Sequence, residues 1–303
     1  MLITFTTSNA FDANFLKNNE LITKYPLTRK KVFFRKKSYL CSKLKSEKLM
    51  SKNLIEENKF KYVEAGEGQP MIVLHGLMGG LSNFEGVLNH FSKQGYKVII
   101  PVLPIYTLPL LKTNVKNLSK FLKDFMAFKK IDKAILIGNS LGGHIGLYFT
   151  KLNQKNVTAL VLAGSSGLYE KSMGDTYPKR GNYEYIKKKT EEVFYDPKVA
   201  TKEAVDEIYE SVNDRHKVIR TLAIAKSAIR HNMAKDLPEM HIPTCVIWGK
   251  NDNVTPPEVA IDFKKLMPDA DLFWIDKCGH APMMEHPDEF NRILESWLKE
   301  RNL

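Results

Sequence analysis

Cysteine is scarce in this chain of 303 residues: Cys41, Cys245 and Cys278 lie far apart and form no C-x-x-C pair. Such spacing argues against a disulfide framework or a cysteine zinc site and fits a reducing compartment, read here as cytoplasmic. Long hydrophobic runs are missing as well, so no transmembrane helix is expected. Residues 1–49 lack the apolar stretch that a secretory leader requires. None of the eight histidines forms an H-x-x-x-H pair, and no His/Asp/Glu spacing resembles a metal site, so neither metal nor cofactor is expected. The stretch Gly76-Leu77-Met78-Gly79-Gly80 lacks the Gly-Lys-Ser/Thr ending of a phosphate loop.

Positive charge is what the chain has in excess, 46 Lys/Arg against 34 Asp/Glu for a net +12. Its placement decides its meaning. Residues 1–49 hold 11 Lys/Arg and 3 Asp/Glu, a net +8, which leaves only 12 − 8 = +4 for the rest. A nearly balanced body gives no reason to expect a nucleic-acid partner. The basic segment reads as a disordered tail, or as sequence upstream of the true start, with Met50-Ser51-Lys52-Asn53 a normal-looking opening. A transit peptide fits less well, because Lys dominates and Arg is scarce.

From residue 53 onward, short apolar runs alternate with helical patterns. Asn53 to Glu64 reads as a hairpin. Met71–Leu74, Tyr96–Pro101, Lys133–Ile137, Val157–Ala163, Thr244–Trp248 and Leu272–Ile275 read as buried strands. Phe84–Lys93, Thr113–Lys129, His144–Leu152 and Glu289–Lys299 have helical spacing. The alternation implies an α/β protein with a doubly wound, mainly parallel sheet. Residues 165–236 break the rhythm. They are charged and helical, with one stripe at Ala204, Val205, Ile208, Tyr209 and Val212 and another at Val218, Ile219, Leu222 and Ile229. Residues 50–164 and 237–303 are therefore expected to form the core and 165–236 an inserted helical cap.

Chemistry concentrates at the ends of the expected strands. Gly138-Asn139-Ser140-Leu141-Gly142 follows one strand and opens a helix, the order a nucleophile elbow needs. A serine hydroxyl is a poor nucleophile near neutral pH unless a base takes its proton, and the base needs an acid to hold its tautomer. Asp252, just beyond Thr244–Trp248, and His280, just beyond Leu272–Ile275, supply those types in the order Ser, Asp, His. Asp276 is a rival acid, awkwardly placed four residues before His280. His75 reads as support for a turn, and His144 as a packed helix residue.

Four motifs carry a family resemblance: His75-Gly76 after a strand, Gly138-Asn139-Ser140-Leu141-Gly142-Gly143, Trp248-Gly249-Lys250-Asn251-Asp252, and Gly279-His280 followed by Glu285-His286-Pro287. Residues 50–303 resemble the α/β-hydrolase fold superfamily. The resemblance implies Ser140 as nucleophile, His280 as base and then acid, and Asp252 as its orienter. It also implies an oxyanion hole from the backbone N–H groups of Leu141 and Leu77, with Met78 the alternative to Leu77. One departure is the segment Val102 to Pro109, where many relatives carry an Asp-x-x-Gly-x-Gly-x-Ser loop.

The expected function is a serine hydrolase acting on a small ester or related acyl compound, with an apolar acyl group. Leu77, Met78, Phe84, Met173 and Met283 are candidates to line the acyl pocket, and core packing is the competing reading for each. Carbon–carbon bond hydrolysis of ring-cleavage products is the alternative, because the elbow resembles that subfamily's. Those relatives usually carry an aromatic residue after the histidine, where this chain has Ala281. A non-catalytic ligand-binding protein on the same fold is the reading from a different class. Dehalogenases and epoxide hydrolases of this fold resemble one another in an elbow Asp, which Ser140 is not.

Overall fold

A computed structural model describes residues 53–170 and 179–303. The expectations for residues 1–49, for Met50 as a start and for Met173 fall outside the described residues. Eight strands form one sheet: β1 (Ile55–Glu57), β2 (Phe60–Ala65), β3 (Gln69–Leu74), β4 (Tyr96–Pro101), β5 (Ala134–Asn139), β6 (Val157–Ala163), β7 (Thr244–Gly249) and β8 (Ala270–Ile275). Their order is β1-β2-β4-β3-β5-β6-β7-β8. The hairpin β1–β2 joins β4 antiparallel, and every later pairing is parallel. This is the α/β, doubly wound, mainly parallel sheet that the alternating pattern predicts.

The described residues form nine helices: α1 (Glu85–Phe91), α2 (Val115–Phe128), α3 (Leu141–Asn153), α4 (Tyr183–Glu191), α5 (Lys202–Asn213), α6 (Arg215–Arg230), α7 (Pro257–Leu266), α8 (Pro282–Glu285) and α9 (Pro287–Glu300). Strand alternation sends Ile72, Leu74, Leu136 and Val246 to a core under α2, α3 and α7. Met71, Val73, Ile135, Ile137 and Ile247 go to a second core under α1 and α9. Both faces are covered, which is why the central strands read as continuous apolar runs instead of alternating ones.

The expected apolar lining divides here. Phe84 and Met283 are fully buried in the second core, so for these two the packing reading holds. Leu77 packs on the edge of the first core.

The chain steps from β3 outward to β4 and then returns past β3 to β5. That reversal puts the carboxyl ends of β3 and β5 side by side, with Leu74 opposite Gly138. A crevice at such a switch point is where open α/β sheets place their sites. Helices α4, α5 and α6 are inserted between β6 and β7. On α5, Val205 is buried and Ala204, Ile208, Tyr209 and Val212 are half-buried, an inward stripe. On α6 the structure corrects the sequence reading: Val218 faces in, but Ile219, Leu222 and Ile229 face out. The inward positions are Val218, Ile224 and Ala228, which share only Val218 with the stripe read from the sequence.

Candidate active site

The turn after β5 is built by what its residues lack. A Cβ on Gly138 would lie 2.3 Å from the Gly143 nitrogen, and one on Gly142 would lie 2.0 Å from the Leu74 carbonyl oxygen. Only glycine lets α3 start this close to the strands. Gly142→Ala is accordingly expected to destabilise the fold by about 3 kcal/mol or more, read as a lowered midpoint in urea denaturation. Between these glycines Ser140 adopts φ 52° and ψ −120°, a left-handed conformation that costs a non-glycine residue about 1–3 kcal/mol. The backbone holds it there. Ser140 N–H donates to the Ala163 carbonyl at 3.3 Å, and its own carbonyl accepts from His144 and Ser166 N–H at 3.2 and 3.1 Å. The Ser140 side chain is half-buried and makes no capping bond to the helix it starts.

The turn after β3 closes on the same point. A Cβ on Gly76 would come within 3.4 Å of the Ser140 Cβ. The buried His75 ring braces this turn: Leu103 N–H donates to its Nε2 at 3.2 Å, so Nδ1 carries the hydrogen and donates to the Gly76 carbonyl at 2.9 Å. Burial holds the His75 pKa below the ordinary imidazole value, which keeps the ring neutral for both bonds. The unusual segment after β4 thus supplies, through Leu103, the group that fixes His75. Leu77 follows this turn and Leu141 is the first residue of α3, where an N–H has no partner one turn back.

His280 and Asp252 meet across the ends of β8 and β7. His280 Nδ1 donates to Asp252 Oδ2 at 2.9 Å, and both side chains are buried. Asp252 is saturated: Oδ1 accepts Val254 and Thr255 N–H at 2.8 and 2.9 Å, and Oδ2 also accepts the Thr255 hydroxyl at 2.8 Å. With Nδ1 committed to the carboxylate, Nε2 is the ring nitrogen left to take a proton. Burial is the largest influence on the His280 pKa and acts to lower it. The charge of Asp252 and its hydrogen bond, with the charges of Glu170 and Glu285, outweigh burial and hold it above the ordinary value. The rival acid Asp276 is exposed and lies 3.7 Å from the Lys250 ammonium, on the surface.

Several groups here escape sequence reasoning. Asn139, buried beside Ser140, donates from Nδ2 to the Ala163 and His280 carbonyls at 2.9 and 3.0 Å and so ties the elbow to the histidine loop. Gly164 (φ +50°) leaves room for the pair, since a Cβ there would stand 3.1 Å from His280 Nδ1 and 3.2 Å from Asp252 Oδ2. His144 is buried, and burial lowers its pKa to about 4, so it packs as a neutral ring. Burial raises the Cys278 thiol, leaving it inert.

Glu285, which the sequence marks only as part of a motif, has the most consequential unread role. Its Oε1 accepts Gly279 N–H at 2.6 Å, and its Oε2 accepts Tyr195 and Asp196 N–H at 2.8 and 3.3 Å. His280 N–H meanwhile donates to the Val193 carbonyl at 2.9 Å. One carboxylate thus clasps the segment after α4 to the loop that carries His280. Glu285→Ala is expected to lower kcat by up to about 10²-fold, because a shift of about 1 Å in the histidine costs that much. Glu285→Gln, which keeps one acceptor oxygen, should recover part of the loss, with KM the less affected constant in both.

The sequence pattern of the family described as alpha/beta hydrolase fold matches residues 69–192 and 182–287. The chain is 57% identical to MGS-MChE2, an alpha/beta hydrolase enzyme from the metagenome of sediments of the Mar Chica lagoon, Morocco. Their structures superpose with a TM-score of 0.70, covering 82% of this chain and 99% of that one. It is 29% identical, over 80% of its length and 88% of the other's, to the 2-hydroxy-6-oxo-6-(2'-aminophenyl)hexa-2,4-dienoic acid hydrolase of Metapseudomonas resinovorans. It is 27% identical, over 78% and 89%, to a 2-hydroxy-6-oxononadienedioate/2-hydroxy-6-oxononatrienedioate hydrolase of Comamonas testosteroni.

Proposed function

The chain belongs to the α/β-hydrolase fold family, and from that premise we propose that it is a serine hydrolase cleaving its substrate beside a carbonyl carbon. Ser140 is the nucleophile, His280 the base and then the acid, and Asp252 the orienter. The observation that carries this reading is the His280 Nδ1–Asp252 Oδ2 bond at 2.9 Å, beside a serine held in a left-handed turn. Ser140 Oγ gives its proton to His280 Nε2 and bonds to the carbonyl carbon. The bond to the leaving group breaks, and His280 returns the proton to that group. Water, deprotonated by His280, then releases the acid and frees Ser140. The N–H groups of Leu77 and Leu141 are the donors for the oxyanion, worth about 3 kcal/mol each. The inserted helices act as a cap that shapes the pocket, a role supported by the Val193 carbonyl on His280 N–H and by Arg220 on the Leu108 carbonyl at 3.1 Å.

Among such reactions, carbon–carbon bond hydrolysis of ring-cleavage products has the stronger support. The curated relatives named above carry that activity in their names and align over nearly their whole length. Ester cleavage is the second reading, favoured by the small, buried Ala281 directly after His280, where an aromatic residue is usual in ring-cleavage hydrolases. A 2-hydroxy-6-oxohexa-2,4-dienoate should lose its absorbance on addition of the protein. Turnover of p-nitrophenyl esters of graded length with no dienoate turnover would reverse the order of the two readings. Turnover of neither, together with no labelling of Ser140 by a fluorophosphonate, would sink the serine-hydrolase reading itself.

A further inference from the structure

Packing explains only part of the apolar surface of helix α6, because the stripe that begins at the buried Val218 runs on to exposed positions. Val218, Ile224 and Ala228 are buried, whereas Ile219, Leu222 and Ile229 are 37%, 36% and 60% exposed. Spacings of three and seven keep these three side chains on one stripe, about 15 Å from end to end. Beside the helix runs the turn Leu110–Lys112 with its flanking residues. Arg220 donates to the Leu108 carbonyl at 3.1 Å, and Val115 N–H to the Ser227 hydroxyl at 3.2 Å. On that turn Leu110 is 45% exposed and Leu111 is 96% exposed, the largest exposure of any apolar side chain among the described residues.

Helix α6 itself carries charge of one sign only, while Glu203, Asp206, Glu207 and Glu210 lie on the neighbouring α5. Helix α6 carries Arg215, Lys217, Arg220, Lys226 and Arg230 and no acidic residue, and Lys112 follows Leu111. Among the described residues none of the five helix cations stands in an ion pair. The carboxylate at the helix start, Asp214, is occupied in accepting the N–H groups of His216 and Lys217. A second copy of the chain docking here would bring the same cations against these, so self-association is opposed. Outward aliphatic side chains flanked by Lys and Arg are what an interfacial helix offers to an anionic lipid surface, with the aliphatic tips in the acyl boundary and the cations at the headgroups.

We propose that α6, together with Leu110 and Leu111, is a docking face for an anionic lipid surface. The proposal does not depend on the chemistry at Ser140. Flotation of the full chain with vesicles tests it, using phosphatidylcholine alone or with about one quarter phosphatidylglycerol. Binding is expected on the anionic vesicles, several-fold above the neutral ones, and should weaken as salt rises from about 50 to 300 mM. The triple variant Leu111→Ser, Ile219→Ser, Leu222→Ser should reduce the bound fraction about tenfold or more. Lys226→Glu should reduce it by about fivefold or more, since each cation near such a surface is worth about that factor. These side chains are exposed, so an unchanged thermal melt is expected and guards against misfolding. Three results would overturn the proposal. One is no binding, or equal binding to neutral vesicles. Another is binding that both variants leave intact, which would assign it to the basic segment 1–49. The third is a concentration-dependent dimer, seen by sedimentation, that the triple variant abolishes.

Discussion

Ser140→Ala is expected to lower kcat by about 10⁴-fold or more on whichever acyl substrate the enzyme turns over, with the fold intact. The size follows from the role proposed for Ser140: a serine nucleophile without its hydroxyl forms no acyl-enzyme, and what would remain is the rate due to binding and the proposed oxyanion donors alone. The intact fold follows from the geometry. The Ser140 side chain makes no bond to the helix it starts, and the turn is held by its backbone, through the Ala163 carbonyl and the His144 and Ser166 N–H groups. Stability should therefore stay within about 0.5 kcal/mol of wild type. Steady-state kinetics with a urea titration of both proteins decides it. A variant with wild-type kcat removes Ser140 from the chemistry, and a variant that loses activity through unfolding shows a shifted denaturation midpoint.

What could be read in the residues beforehand, and what could not, divides along a physical line. β4 and β6 match their expected limits because their buried stretches, residues 98–101 and 159–163, are covered on both faces and so read as continuous apolar runs. The elbow was legible because sterics leave glycine alone at Gly138 and Gly142. The helix Pro257–Leu266 went unread, although Pro at its start and Val259, Ala260 and Phe263 on one face were available signals. The stripe on α6 was misread because an apolar face at helical spacing looks the same whether it is buried or turned to the outside. The roles of Asn139, Thr255, Gly164 and Glu285 were missed for another reason. Asn139, Gly164 and Glu285 each act on a residue reached only through tertiary structure, as Glu285 does on Tyr195, 90 positions away, whereas Thr255 is only three residues from Asp252 and nothing in the local pattern marks its hydroxyl for the carboxylate.

Asp252→Asn should be the next most damaging change, and it carries a pH signature that a purely structural role would not. In the wild type Asp252 Oδ1 accepts two backbone N–H groups, while Oδ2 accepts the Thr255 hydroxyl and His280 Nδ1–H. An asparagine satisfies the two backbone donors with its oxygen and so turns its NH₂ toward His280. Nδ1 must then accept instead of donate, and the ring's hydrogen moves to Nε2, where the base needs a lone pair. A loss of about 10⁴-fold in kcat is expected from this wrong tautomer. The sign of the pH effect follows from the causes acting on His280. Burial alone lowers its pKa; the Asp252 charge and bond, with Glu170 and Glu285, bring it above the ordinary imidazole value. The base works only when neutral, so wild-type kcat/KM should fall as pH drops through a midpoint above that ordinary value. In Asp252→Asn the burial remains and the main opposing charge is gone, so the midpoint of the residual activity moves to lower pH. Profiles of kcat/KM between about pH 5 and 9 for both proteins measure it. A variant whose midpoint stays at the wild-type position would mean that Asp252 does not set the protonation of His280, whatever its effect on rate.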